Sequence, residues 1–165
     1  MFVERFSAWS VDADCDERAA AIAELAKTWL DDRIDESDRR ETEKVFTLYL
    51  DDPSPKVRVA LAQAIAPHDH GPRKLIWALM QDIPEVSAII FRKSPLLRAA
   101  DLFHAIEKGD AAVQVAIADR RDLGVDLVRA MVSKGSAEAA VTLLENPAVQ
   151  LSPSLKHDLA VRLQD

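Results

Sequence analysis

The residues able to do chemistry are few and scattered. His68-Asp69-His70 sets two imidazoles about one carboxylate, and neutral imidazole is a good ligand for zinc or nickel. A metal site needs three or four ligands, and the other histidines, His104 and His157, lie far along the chain. His68 and His70 stand as candidate ligands, a solvated turn is the plainer reading, and no metal or other cofactor is expected. Cys15 lies between Asp14 and Asp16, a poor setting for a nucleophile, and reads as a loop cysteine. Five cations, Arg92, Lys93, Arg98, Arg120 and Arg121, fall at two successive polar corners. Brought onto one edge, they could meet phosphate, nucleic acid or an acidic protein partner. The plainer reading pairs them with Asp101, Asp119 and Asp122, since exposed ion pairs are common and weak. Trp9, Trp29 and Trp77 sit on or beside apolar stripes, where an indole packs into a core or groove. The chain has no Gly-rich phosphate loop, GxSxG, HExxH or CxxC, so it is not expected to be an enzyme.

The elements that would position these residues are helices. The chain has 165 residues, 48% hydrophobic and 30% charged, with four glycines. That is a globular composition with little material for hairpin turns, and it lacks the β-branched alternation of strands. One cysteine excludes an internal disulfide and fits a reducing compartment. No signal-peptide pattern or membrane-length apolar run is present, and the cytoplasm is the expected location. Net charge is −7 but uneven. Residues 1–55 hold 7 Lys/Arg against 15 Asp/Glu, residues 56–134 hold 12 against 9, and residues 135–165 hold 2 against 4. An acidic whole disfavours non-specific nucleic-acid binding, while a mildly basic middle leaves a local contact open.

The organising stretch is Asp51–Gln81. Its two prolines, Pro53 and Pro55, mark a helix start with Ser54 as N-cap. Val57, Leu61, Ala64 and Ile65 form one apolar stripe. A corner at 67–72 follows, and then a second stripe of Leu75, Ile76, Leu79 and Met80. Helices this short need a neighbour to bury their stripes. The plan recurs: Val57, Val86, Val113 and Ala139 occupy matching places at separations of 29, 27 and 26. Second stripes follow at Leu102, Phe103 and Ile106, at Leu127, Val128, Met131 and Val132, and at Leu155, Leu159, Val161 and Leu163. Gly109 and Gly135 end two second helices, at the position where a left-handed residue is favoured. Upstream, Phe2, Val3, Phe6 and Trp9 make a short helix or docking arm, and Val11–Asp16 reads as an acidic loop. Asp14 or Asp16 caps a helix to about Leu30, Asp31–Glu36 is a charged connection, and Ser37 or Asp38 opens a third helix.

The expectation is an all-α, HEAT-like α-solenoid of short antiparallel helix pairs. Residues 1–50 are N-terminal capping helices, and residues 51–165 are repeats at about 51–82, 83–109, 110–135 and 136–165, in one continuous domain. The last stripe runs to the final residues, as in a piece of a longer solenoid.

The run Leu48–Leu61, the corner Arg92-Lys93-Ser94-Pro95-Leu96-Leu97 before Ala100-Asp101-Leu102, and Leu144-Glu145-Asn146-Pro147 before Leu151-Ser152 resemble the family catalogued as domain of unknown function 2336. The resemblance covers most of the chain from about residue 20 onward. It implies HEAT-like repeats and an alphaproteobacterial lineage, with longer members and no established activity, so it carries over no catalytic residue. The function expected is a non-catalytic protein-interaction scaffold with a protein partner; the alternative is nucleic-acid or phosphate binding through the basic corner edge.

Overall fold

The computed structural model describes residues 2–31 and 34–164, with only the backbone of Phe2. The parts of the N-terminal stripe and of the charged connection that rest on the Phe2 side chain, Asp32 and Arg33 lie outside the described residues. Among the described residues all regular structure is helical, as the composition requires: α1 Phe2–Asp12, α2 Cys15–Leu30, α3 Glu36–Tyr49, α4 Pro55–Ile65, α5 Arg73–Met80, α6 Pro84–Lys93, α7 Ala99–Lys108, α8 Ala111–Ala118, α9 Val125–Lys134, α10 Ala137–Glu145 and α11 Pro153–Arg162.

Local chemistry sets the starts. Asp14 accepts from the backbone N–H of Asp16 and Glu17 while Glu17 returns to the Asp14 N–H, a full capping box. Asp110, Ser136 and Ser152 each accept from the N–H three residues on. Pro55, Pro84 and Pro153 stand at first helical positions, where proline gives up no hydrogen bond.

Three local expectations are corrected. The acidic loop is only two residues long: α1 runs through Asp12, and the Ala13 N–H still bonds the Trp9 carbonyl before Asp14 starts α2. The third helix opens at Glu36, because the Asp35 carboxylate caps the Asp38 N–H. Gly109 and Gly135 are not left-handed; their φ angles are −72° and −65°. Glycine is needed there for space: a Cβ would stand 2.4 Å from the Ala105 carbonyl oxygen at 109, and 2.5 Å from Met131 Sδ at 135.

The chain divides into two compact units, residues 1–90 with 94–96, and residues 91–93 with 97–165. In the first, α2 lies along α4, α3 packs under both, α1 covers α3 and α5 folds onto α4. Its core includes Ile22, Trp29, Phe46, Val57, Leu61, Ile65, Ile76 and Leu79. In the second, α8 lies along α10, and α9 packs between α7 and α11. Its core includes Leu102, Ile106, Val113, Ile117, Met131, Ala139, Leu143 and Leu159. The four anchors Val57, Val86, Val113 and Ala139 are all buried, each at the third position of its helix. The stripes are less complete at their edges: Met80, Phe103 and Leu155 are half-buried, and Val161 and Leu163 are exposed.

Candidate functional site

Several polar side chains are used between helices. The fourth position of α2 is Arg18, which grips the Asp52 carboxylate ahead of α4 with Nε at 2.8 Å and Nη2 at 3.2 Å. The fourth position of α4 is Arg58, which grips Asp82 ahead of α6 at 2.7 and 3.1 Å. The fourth position of α8 is Gln114, whose Oε1 accepts from the Ser136 N–H ahead of α10 at 2.7 Å. In α2, α4 and α8 the side chain at this place reaches the turn that starts the next even-numbered helix. The hydrogen bond to Asp52 raises the pKa of Arg18, and that to Asp82 raises the pKa of Arg58.

A second stitch joins the far ends. The residue in the tenth place from the start of α8 is Arg120, and its Nη1 donates to the Phe91 carbonyl at 2.8 Å. In the same place of α10, Asn146 Nδ2 donates to the Ala118 carbonyl at 2.8 Å and the Arg120 carbonyl at 2.7 Å. Phe91 and Ala118 each occupy the eighth position of their helix. Carbonyls in a last helical turn have no partner within the helix, and these side chains supply one.

The five corner cations therefore separate. Arg120 is only 3% exposed in its side chain and is also held by Asp122 at 2.8 Å. It is an internal tie and no part of a surface ridge, because its guanidinium is spent on a buried carbonyl and a carboxylate. Arg92 pairs with Asp119 at 3.0 Å and Arg98 with Asp101 at 3.3 Å, both with exposed arginines. Burial pushes Asp101 up, but the Arg98 side chain, its backbone N–H and its charge outweigh that and hold the carboxyl below its ordinary value. Lys93 and Arg121 are exposed.

His68 and His70 stand with ring centroids 5.9 Å apart, and His70 Nδ1 meets Asp69 Oδ1 at 2.9 Å. Among the described residues no three His, Cys, Asp or Glu side chains gather where they could hold a metal ion. Cys15 is exposed at the first position of α2, with Sγ 3.5 Å from Asp16 Oδ1. Trp29 is buried against Phe46, with Arg39 over its ring at 4.8 Å. Trp9 and Trp77 are instead close to half-exposed; Trp77 lies beside the buried stripe of α5.

One concave feature escaped the sequence reading. A cleft of about 390 Å³ opens between α1 and the end of α3. Ser7, Ser10 and Val11 line one wall and Leu48, Asp51 and Pro53 the other, with Tyr49 and the Arg18–Asp52 pair also lining it. Burial raises the pKa of the Tyr49 phenol, against a smaller lowering from the Ser10 hydroxyl. The cleft brings together residues about 40 places apart, so no local pattern announces it.

Residues 86–165 match the model of a family described as "Uncharacterised protein conserved in bacteria (DUF2336)". The match takes in nearly all of α6 and the whole of α7 to α11. It agrees in family with the resemblance drawn from the corner motifs and is narrower in extent. No curated protein and no solved structure matches the chain. Among the described residues, no helix is long and apolar enough to cross a membrane.

Proposed function

We propose that the whole chain is a HEAT-like α-solenoid of this bacterial family and works as a non-catalytic scaffold in the cytoplasm, holding a protein partner by an apolar helix face. The shared buried third place of α4, α6, α8 and α10, the fourth-place ties of α2, α4 and α8 and the tenth-place ties of α8 and α10 support reading the even-numbered helices as first members of repeated pairs. The observation that carries the interaction role is on α10. Its eighth residue, Leu144, is 43% exposed, while the eighth residues Ile22, Ala62, Phe91 and Ala118 of the other even-numbered helices are buried. Val141 at the fifth place is also 43% exposed, whereas Ala19 in α2 is buried. α2 lies along α4 and α8 along α10, while no further even-numbered helix follows α10 among the described residues. The fitting partner is thus a short amphipathic helix, laid beside α10 as α10 lies beside α8.

The test is affinity capture from the native host, followed by reconstitution with the purified partner. Val141→Asp/Leu144→Asp should abolish binding at unchanged melting temperature, and binding should be nearly indifferent to salt. Retention of DNA or RNA that weakens steeply with salt would overturn this reading in favour of phosphate contacts. With Arg120 buried and Arg92 and Arg98 paired, the geometry does not favour that alternative.

A further inference from the structure

We infer that the helix docking beside α10 belongs to a different chain, runs parallel to α10, and carries an arginine or asparagine at its tenth place whose N–H the Leu144 carbonyl accepts. The inference rests on the helix-docking reading above and adds the residue by which a partner is recognised.

The chain already makes this contact three times. Arg120, tenth from the start of α8, donates to the Phe91 carbonyl, the eighth of α6. Asn146, tenth from the start of α10, donates to the Ala118 carbonyl, the eighth of α8. Arg162, the tenth residue of α11, donates to the Val132 carbonyl, the eighth of α9. Between α8 and α10, and between α9 and α11, the tie joins matching ends, so each pair runs parallel.

The Leu144 carbonyl is the eighth of α10, and the turn that follows gives it no donor. Three residues on stands Pro147, which has no N–H. The Ala148 N–H is held by Asn146 Oδ1, and the Val149 N–H by the Asn146 carbonyl. The Phe91 carbonyl is left by its own turn in the same way: the Ser94 N–H goes to the Ile90 carbonyl, and Pro95 has none. There Arg120 fills the place, and Phe91 is buried. Leu144 is exposed, which leaves its end of α10 to water. A helix laid over Val141 and Leu144 removes that water. A buried carbonyl without a donor is costly, so an apolar face alone fits poorly and the partner must bring an N–H to this point.

The same requirement excludes a second copy of this chain. Among the described residues, the even-numbered helix with no even-numbered helix before it is α2. Its tenth residue is Glu24, exposed and paired with Lys27. A carboxylate accepts and does not donate, so Glu24 would set oxygen against the Leu144 oxygen.

The experiment is a selection on the immobilised full chain. The probe is a displayed library of peptides whose helix start is fixed by Ser-Pro and whose later places are varied. Peptides that also bind the Val141→Asp/Leu144→Asp chain are discarded. Those retained should carry arginine or asparagine at the tenth place. For the tightest of them, methionine at that place should weaken binding to the wild-type chain about fivefold, the scale of one net hydrogen bond. With leucine carbonyls ¹³C-labelled, the original peptide should shift the Leu144 signal downfield and the methionine peptide should not. These two measurements use only the wild-type chain, so they stand whatever the double variant does. No preference at the tenth place, or equal affinity of the methionine peptide, would overturn the inference and leave helix docking intact. A library that yields no peptide sensitive to Val141 and Leu144 would overturn both.

Discussion

Asn146 provides the sharpest test of how the helices are held together. Its amide nitrogen donates to two carbonyls, Ala118 and Arg120, and its oxygen accepts from the Ala148 N–H at 2.9 Å. The residue is buried. Asn146→Ala strips the donors and leaves two carbonyls at the end of α8 poorly solvated. Each such group costs about 1–3 kcal/mol, so with partial relaxation the loss should be about 2–4 kcal/mol. In a chain of this size that corresponds to a melting temperature lower by roughly 5–15 °C. Asn146→Asp keeps the shape but replaces a donor with an acceptor facing two carbonyls, and should cost at least as much. Arg120→Met should be similarly damaging, since it removes the donor to the Phe91 carbonyl and strands the Asp122 contact. Arg92→Ala, which breaks only an exposed pair with Asp119, should change stability by about 1 kcal/mol or less. Urea unfolding with an unchanged slope is the assay. If Asn146→Asp and Asn146→Ala both unfold at the wild-type midpoint, the stitch contributes nothing and the reasoning from the tenth helical place fails.

Gly135→Ala should destabilise by about 1–3 kcal/mol through overpacking, because the new methyl meets Met131 Sδ at 2.5 Å and the Met131 carbonyl at 2.7 Å, with Met131 itself fully buried. Gly124→Ala meets nothing within 4 Å and should be neutral or stabilise by about 0.5 kcal/mol; equal melting temperatures for the two variants would refute the steric account. Asp101 has a folded pKa below its ordinary value of 3.8, so its contribution is present above that value and is lost as pH falls through it towards the folded pKa. Asp101→Asn should therefore lower stability at neutral pH and flatten part of the acid arm of the urea midpoint against pH; curves that stay parallel would exclude Asp101 as a source of that arm.

The apolar spacing in the sequence determined the helices and much of what they bury. Val57, Leu61 and Ile65, and Leu127, Val128, Met131 and Val132, form buried stripes because a 3.6-residue period leaves one face to the interior whatever packs against it. The prolines and the capping Asp and Ser residues set most starts, since those bonds close within three residues. What it could not determine was the use of side chains that act across long separations. Arg18 and Asp52 are 34 residues apart and Arg120 and Phe91 are 29 apart, so a cation at a polar corner reads as surface until the neighbouring helix end is in place. The glycines show the same divide: their position after a helix is local, but the reason for them is the room that Ala105 and Met131 leave. The cleft beside Tyr49 belongs wholly to tertiary structure, because only the docking of α1 on α3 brings Ser7, Ser10 and Val11 against Leu48, Tyr49 and Asp51.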